Sequence, residues 1–203
     1  MNALPDNHLD LGCGVNPRNP YGRKKLFGID VRDDAQSHVS NFKIVKCNAA
    51  LEPIPFEDNH FGSISAFDFL EHVPRQLYSE SSKQIFYPFV NLMSEIWRVL
   101  APGGRLLAVT PAFPASGAFV DPTHVNIITD KTHQYFCGAT PMARAYGFKG
   151  EFKVKMAKFT AMANVSAMPP PAIWRQWLRN LHRRMFKDGL HHVVWELEAV
   201  KKI

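Results

Sequence analysis

A chain of 203 residues, 46% hydrophobic and 21% charged, is read as one globular domain over residues 1–203 with a sizeable core. No run approaches the roughly 18 apolar residues of a membrane span, and Met1–Asp6 lacks the basic-then-apolar pattern of a secretory leader, so a cytoplasmic protein is expected. The formal net charge of +6 keeps nucleic acid, an acidic membrane surface and an anionic metabolite open as partners. Cys13, Cys47 and Cys137, odd in number and without a Cys-x-x-Cys spacing, give neither a disulfide frame nor a zinc site.

In chain order, the apolar run His8–Gly12 predicts a first strand that closes on the turn Gly12-Cys13-Gly14. Pro17, Pro20 and Gly22 then allow at most a short or broken helix. Leu26–Val31 predicts a second strand ending on an acid, Phe42–Cys47 a third, and Phe61–Phe67 a fourth whose small residues suit burial on both faces. From Gln84 to Leu100 apolar residues recur at three and four, which predicts a helix that starts or kinks at Pro88 and stops at Pro102-Gly103-Gly104. Arg105–Thr110 follows as a fifth strand. Pro111–Gly138 is long for a connection, with short helices expected at Lys131–Phe136 and Thr140–Tyr146, the second ended by Gly147. Phe152–Phe159 and His192–Val200 read as late strands. Between them lie the stiff Pro169-Pro170-Pro171 spacer and a helix from Ala172 to about Lys187. This alternation predicts an α/β fold, an open and mostly parallel sheet with helices on both faces.

In such a sheet the ligand site lies beyond the carboxyl ends of the strands. Four features fall on that rim: Gly12-x-Gly14, Asp30 placed to accept from two ribose hydroxyls, Asn48 placed to meet an adenine edge, and Phe67-Asp68-Phe69-Leu70-Glu71-His72-Val73. All lie within reach of one extended adenosine ligand.

With these residues in order, the chain resembles the class I S-adenosylmethionine-dependent methyltransferases. Leu9-Asp10-Leu11-Gly12-Cys13-Gly14 is similar to their first motif, Gly28-Ile29-Asp30 to the ribose-binding end of strand two, and Leu51–Phe61 to the approach to strand four. Phe69-Leu70-Glu71-His72-Val73 and Glu95–Gly104 are similar to two further motifs, so that the resemblance covers roughly residues 8–112 and also fits a late antiparallel strand at 192–200. It implies a Rossmann-like fold and S-adenosyl-L-methionine as cofactor. Asp10, Gly12, Cys13 and Gly14 would lie beside its methionine part, Asp30 and Val31 at the ribose, Asn48 and Ala49 at the adenine, and Phe67 with Asp68 at the amino group. Val15-Asn16-Pro17 stands where the family carries a third glycine. That same position argues against a nicotinamide or flavin dinucleotide, whose fingerprint wants Gly-x-Gly-x-x-Gly.

Methyl transfer from a sulfonium needs alignment first, and a base only where the acceptor must lose a proton early. Candidates for that base are His72, Asp121 and His124, with Asp121 orienting His124 or, alternatively, only starting a turn ahead of Pro122. His72 can equally serve a neighbouring loop. No metal site is assigned, because Glu71 and His72 alone are adjacent and chelate poorly. Residues 111–147 are taken as the acceptor-site insertion, with Tyr135 and Phe136 as pocket wall or plain core. Residues 169–190 are taken as a basic cover helix carrying Arg175, Arg179, Arg183, Arg184 and Lys187 beside Trp174, Trp177, Leu178, Leu181 and Phe186. Met156, Met162 and Met168 read as gap-fillers. The favoured function is methyl transfer to O or N of a small-molecule or carrier-linked acceptor, with the oligomeric state open. The alternatives are nucleic-acid or protein methylation through residues 174–187, and a non-catalytic protein that binds the cofactor.

Overall fold

The computed structural model describes residues 3–32, 42–160, 177, 178, 181 and 190–201. Its elements in chain order are β1 (Asn7–Leu11), β2 (Lys25–Asp30), β3 (Phe42–Lys46), β4 (Phe61–Phe67), β5 (Leu77–Ser79), β6 (Gln84–Phe86), α1 (Pro88–Val99), β7 (Leu100–Pro111), β8 (Phe152–Thr160) and β9 (His192–Ala199). Seven strands form one sheet in the order β3-β2-β1-β4-β7-β9-β8, and β5 with β6 forms a separate hairpin. Pairs β1–β2, β1–β4, β2–β3 and β4–β7 are parallel, while β9 runs antiparallel to both neighbours. The open, mostly parallel sheet with a late antiparallel strand is the expected fold class.

Strand alternation explains which side of the sheet is core. Two cross-strand rows, Leu9–Ile64–Leu106–Leu197 and Leu11–Ala66–Ala108–Trp195, are apolar and fully buried, and they form one cluster with Phe89, Met93 and Ile96 of α1. The rows on the other face, His8–Ser63–Arg105–Glu198 and Asp10–Ser65–Leu107–Glu196, are largely polar. Tyr21 packs there and donates to Glu196 at 3.1 Å. Helix content is low among the described residues, and α1 covers the apolar face. Residues 12–24 form turns and no helix, as the prolines require.

Local differences from the sequence reading have simple causes. The helix expected from Gln84 starts at Pro88, because proline at the first helical position loses no hydrogen bond and holds its predecessor Tyr87 extended; Gln84–Phe86 instead pairs with Leu77–Ser79. Pro102-Gly103-Gly104 forms a bulge within β7, between the pairs Phe61–Leu100 and Ser63–Arg105. The short helices near 131–146 are single 3-10 turns, Thr132–Phe136 and Met142–Tyr146, the second closed by Gly147 at φ 92°. β4 is buried on both faces as its small residues require. A Cβ on Gly62 would lie 2.1 Å from the Pro5 carbonyl oxygen. In the stretch read as a basic cover helix, residues 177, 178 and 181 are helical with exposed side chains; the rest of it, with the Pro169–Pro171 spacer, Met162 and Met168, lies outside the described residues. No described helix is long and apolar enough to cross a membrane.

Two polar devices hold this frame together. Arg98 donates to the carbonyls of Ile54 and Phe56 at 2.8 and 2.9 Å, to Asp58 at 2.8 Å and to both oxygens of Glu95, pinning the segment before β4 onto α1. The fully buried His8 ring spans Ser63 and Ser65 at 2.8 Å each, and Ser65 in turn donates to Asp10 at 2.5 Å. Burial pushes the His8 imidazole down to about 4, so it is neutral in the folded chain.

Replacing Arg98 with Met should cost about 2–3 kcal/mol in urea unfolding, because charge-assisted hydrogen bonds are lost and two carbonyls are left without partners; a change within about 0.5 kcal/mol would contradict this role. For His8 the folded value lies below the unfolded one. Its stabilisation is therefore complete above pH 6.5 and is lost as pH falls through about 4. The stability advantage of the wild type over His8→Gln should thus grow by about 2–3 kcal/mol between pH 4 and 7; a pH-independent difference would show that His8 does not titrate in this way.

Candidate functional site

The turn after β1 is built for close approach. Gly12 and Gly14 have φ of 64° and 56°, and a Cβ on either would lie 2.7 Å from a side chain, Phe69 Cδ2 or Arg32 Nη2. The amides of Gly12 and Cys13 donate to the Ile29 carbonyl at 2.9 and 3.1 Å, and that of Gly14 donates to Asp30 Oδ2 at 2.8 Å. The turn is thereby fixed to the end of β2. Asp30 Oδ1 accepts from the Arg32 amide and Nε at 3.0 and 3.2 Å, which leaves Oδ2 able to accept once more. Cys13 is packed beside Gly28, and burial raises its thiol to about 12, so it is space-filling and unreactive at neutral pH.

Asn48 follows from the end of β3, where the Cys47 amide donates to the Asp30 carbonyl at 3.1 Å. Its side-chain oxygen holds the Ala50 amide at 3.2 Å, which leaves its amide nitrogen as the donor of that side chain. Ala49 is buried, while Val31 and Leu51 are more than half exposed. Such bare apolar surface beside a ribose-type acid suits the faces of an adenine. Asp10 is buried, accepts from Ser65 and from the Arg18 amide at 2.8 Å, and is pushed up to about 6 by that burial. Its carboxylate ties the 15–18 loop to the strands. Phe67 lies under the Arg18 guanidinium, 4.3 Å from ring centre to carbon. Asp68, at φ 48°, turns toward β9 and pairs with His192 Nε2 at 2.9 Å.

Phe69 fills the space over Gly12, and the chain then makes a 3-10 turn, Leu70–His72. Glu71 on this turn is 1% exposed. Its carbonyl accepts the amides of Val125 and Asn126 at 3.0 and 2.9 Å, and its Oε2 accepts from Thr110 at 2.8 Å, while Oε1 has no hydrogen-bond partner among the described residues. Burial raises this carboxyl to about 7. His124 Nε2 lies 4.0 Å from Glu71 Oε1 and 3.8 Å from Asp121 Oδ2, and the His72 and His124 rings meet edge to face at 4.7 Å. Two sequence candidates 52 positions apart are therefore one cluster.

The group that orients His124 is the Ala118 carbonyl, which takes the Nδ1 proton at 3.0 Å, rather than Asp121. Asp121 caps its own turn, accepting from Thr123 N and Oγ1 at 2.8 and 2.6 Å, and those bonds hold its carboxyl below the usual range. Thr123 Oγ1 also meets His72 Nδ1 at 3.0 Å. Phe136 is core, packed on Phe89 and Phe148, whereas Tyr135 is only partly buried and stacks on Tyr146. Sequence reasoning did not single out Arg18, Arg32, Phe69 or His192. For Arg32 the only available signal was its place two residues after the acid.

A methyltransferase-domain family model matches residues 9–108. A putative methyltransferase from Bacillus halodurans shares 18% identity and superposes with a TM-score of 0.55 over 98% of this chain and 94% of its own. An S-adenosylmethionine-dependent methyltransferase from Archaeoglobus fulgidus gives 16% identity and 0.53 over 95% and 85%. The [4+2]-cyclase SpnF gives 16% identity and 0.58 over 97% and 76%. No curated protein sequence matches significantly. At these identities the likenesses establish the fold. The family match, which begins inside β1 and ends inside β7, gives the parallel half of the sheet with its glycine turn as a methyltransferase domain, and the solved structures share its Rossmann-like fold.

Proposed function

We propose that this methyltransferase acts on an oxygen or nitrogen of a small-molecule or carrier-linked acceptor received at Glu71, His72 and His124. The observation that carries this reading is the His124 ring. With Nδ1 donating to the Ala118 carbonyl, the neutral form of the ring carries its lone pair at Nε2, 4.0 Å from the buried Glu71. A nitrogen so held can take the proton of a hydroxyl or amine as it is alkylated. Asp121, at 3.8 Å, would favour the imidazolium that results.

The cofactor end fits S-adenosylmethionine in its shape and donor set. Gly12 and Gly14 hold left-handed turn conformations close against Phe69 and Arg32, Asp30 keeps an acceptor lone pair at the rim, and Val31 and Leu51 offer apolar surface. When bound, the sulfonium supplies an already activated methyl group. The chain's task is then to align the acceptor and exclude water. Asp10, Gly12, Cys13 and Gly14 would border the methionine part, Asp30 and Val31 the ribose, Asn48 and Ala49 the adenine. Phe67 would border the amino group, with Asp68 acting on that side through His192.

Residues 111–147 supply the acceptor side in this reading. Phe119, Val120 and Val125 flank His124 in sequence and are all more than half exposed, which favours an acceptor with an apolar body. The buried free thiols Cys13 and Cys47 favour a reducing compartment such as the cytoplasm.

Calorimetry with S-adenosylmethionine should give saturable binding that Asp30→Ala weakens by about 100-fold, the loss expected for one hydrogen bond to a charged group together with the Gly14 amide that Asp30 holds in the turn. Equal affinity in folded wild type and variant would remove Asp30 from the site. Label from methyl-labelled cofactor should pass into the small-molecule fraction of a cell extract and drop by about 100-fold with His124→Ala. Label that appears only in RNA, DNA or protein would favour the nucleic-acid or protein reading instead.

A further inference from the structure

Glu71 Oε1 is a carboxylate oxygen in a residue 1% exposed, without a hydrogen-bond partner among the described residues, and it faces an imidazole nitrogen 4.0 Å away. That gap is too long for a hydrogen bond. It is the separation of two atoms that share a third body, since donors at about 2.0–2.2 Å from one ion stand about 3–4 Å apart. We propose that Glu71, His72 and His124 bind one divalent first-row transition-metal ion, Zn2+ by the chemistry of the donors. One donor atom from each of the three residues lies within 4.8 Å of the others.

Hydrogen-bond roles support the same assignment. Thr123 Oγ1 gives its proton to Asp121, so at His72 it accepts the Nδ1 proton and leaves Nε2 with its lone pair. His124 donates Nδ1–H to the Ala118 carbonyl and is likewise left with a free Nε2. Thr110 holds Oε2 of Glu71 and thereby orients Oε1. Each donor thus has an outer partner that fixes its orientation and, for the rings, its tautomer, as protein metal ligands characteristically do. Two imidazoles and one carboxylate suit Zn2+ and its first-row neighbours better than Mg2+, which prefers oxygen ligands and retained water. Asp121 Oδ2, at 3.8 Å from His124 Nε2, is placed to join as a fourth ligand or to hold a bound water. The adjacency that made Glu71 and His72 a poor chelate by themselves is met by His124, which the 111–128 loop delivers.

This site deepens the acceptor reading, on which its catalytic consequence rests but its occupancy does not. An ion here would lower the pKa of an acceptor hydroxyl bound to it, and would occupy the lone pair that His124 otherwise offers to a proton.

The test uses the full-length protein, stripped with chelator and titrated with Zn2+ in calorimetry, with bound metal counted by elemental analysis after desalting. The expected result is one ion per chain, bound at least 100-fold more weakly by Glu71→Gln and by His124→Ala, and a Co2+ form whose visible spectrum those variants lose. His191 and His192 form a second histidine pair on the rim, so His192→Ala serves as the control and should retain the ion. Should Glu71→Gln fail to fold, His72→Asn, on the partly exposed face of the turn, carries the same comparison. Absence of saturable binding, equal affinity in all variants, or loss only in His192→Ala would overturn the proposal. S-adenosylmethionine affinity measured on the same samples separates the outcomes: cofactor binding without metal refutes this site alone, whereas metal without cofactor binding refutes the methyltransferase reading of the rim.

Discussion

One buried residue, Glu71, organises the rim of this sheet. Its carbonyl oxygen takes two consecutive amides, Val125 and Asn126, and its carboxylate takes the hydroxyl of Thr110 at the end of β7. The segment after β4, the end of β7 and the long connection beyond it are joined at that point. The connection is closed a second time where the Phe113 amide donates to the Ile128 carbonyl at 2.9 Å, and Arg75 reaches across to Asn126 and the Ile127 carbonyl. These bonds, with that of Thr123 to His72, bring His124 to His72. Burying a carboxylate is costly unless a cation or a proton accompanies it. The raised value at Glu71 expresses that cost, and the lone pairs gathered around it are what the proposed acceptor chemistry would use.

The other half of the rim depends on main chain rather than on side chains. The glycine turn has to hold left-handed conformations at two positions while donating three amides to the end of β2, and Asp30 contributes to this as a structural acceptor before any ligand arrives. Arg32 shares the same carboxylate. A ribose would therefore meet an acid already oriented, with limited remaining capacity, so that its hydroxyls must approach along the free lone pair of Oδ2. Phe69 connects the halves, because the ring that leaves no room for a Cβ at Gly12 begins the turn bearing Glu71 and His72.

Much of this was legible before any coordinates. The strands β1 to β4 carry local signals, apolar runs closed by glycine or an acid, and fall within a residue of the positions read from the chain, whereas β7 begins five residues before the expected Arg105. The glycine turn is equally visible, because only glycine tolerates its conformation beside Phe69 and Arg32. What escaped is non-local. Gln84–Phe86 has the apolar content of a helix start, but Pro88 fixes the first helical turn and releases the three residues to a hairpin. In the sequence Asp121 reads either as the partner of His124 or as the start of a turn, and it is the turn that it caps. The carbonyl that does orient the ring belongs to Ala118, and no residue type can announce a main-chain acceptor. Asp68 has the look of a ligand-facing acid, yet a histidine from β9, 124 positions away, takes its carboxylate.

A sheet of this order with a glycine turn fixes where an adenosine cofactor can lie, but a fold of this kind hosts more than one chemistry. The reaction must therefore be decided at the far side of the cofactor, by groups the fold leaves free to vary. In this chain those groups come from two elements with opposite properties. The Leu70–His72 turn is rigid, since it is fastened to β7 and buried. The 111–128 loop is anchored at its ends and through Glu71, while Phe119, Val120 and Val125 on it face solvent. In the proposed acceptor site the lone pairs would lie between an anchored floor and an apolar loop, so that proton- or cation-handling would be fixed while acceptor selectivity could change with the loop. Substitutions among the exposed apolar residues of 113–127 should then alter which acceptor is taken without touching the cofactor. Removing the Thr110 hydroxyl should instead act on the orientation of Glu71, because it frees Oε2.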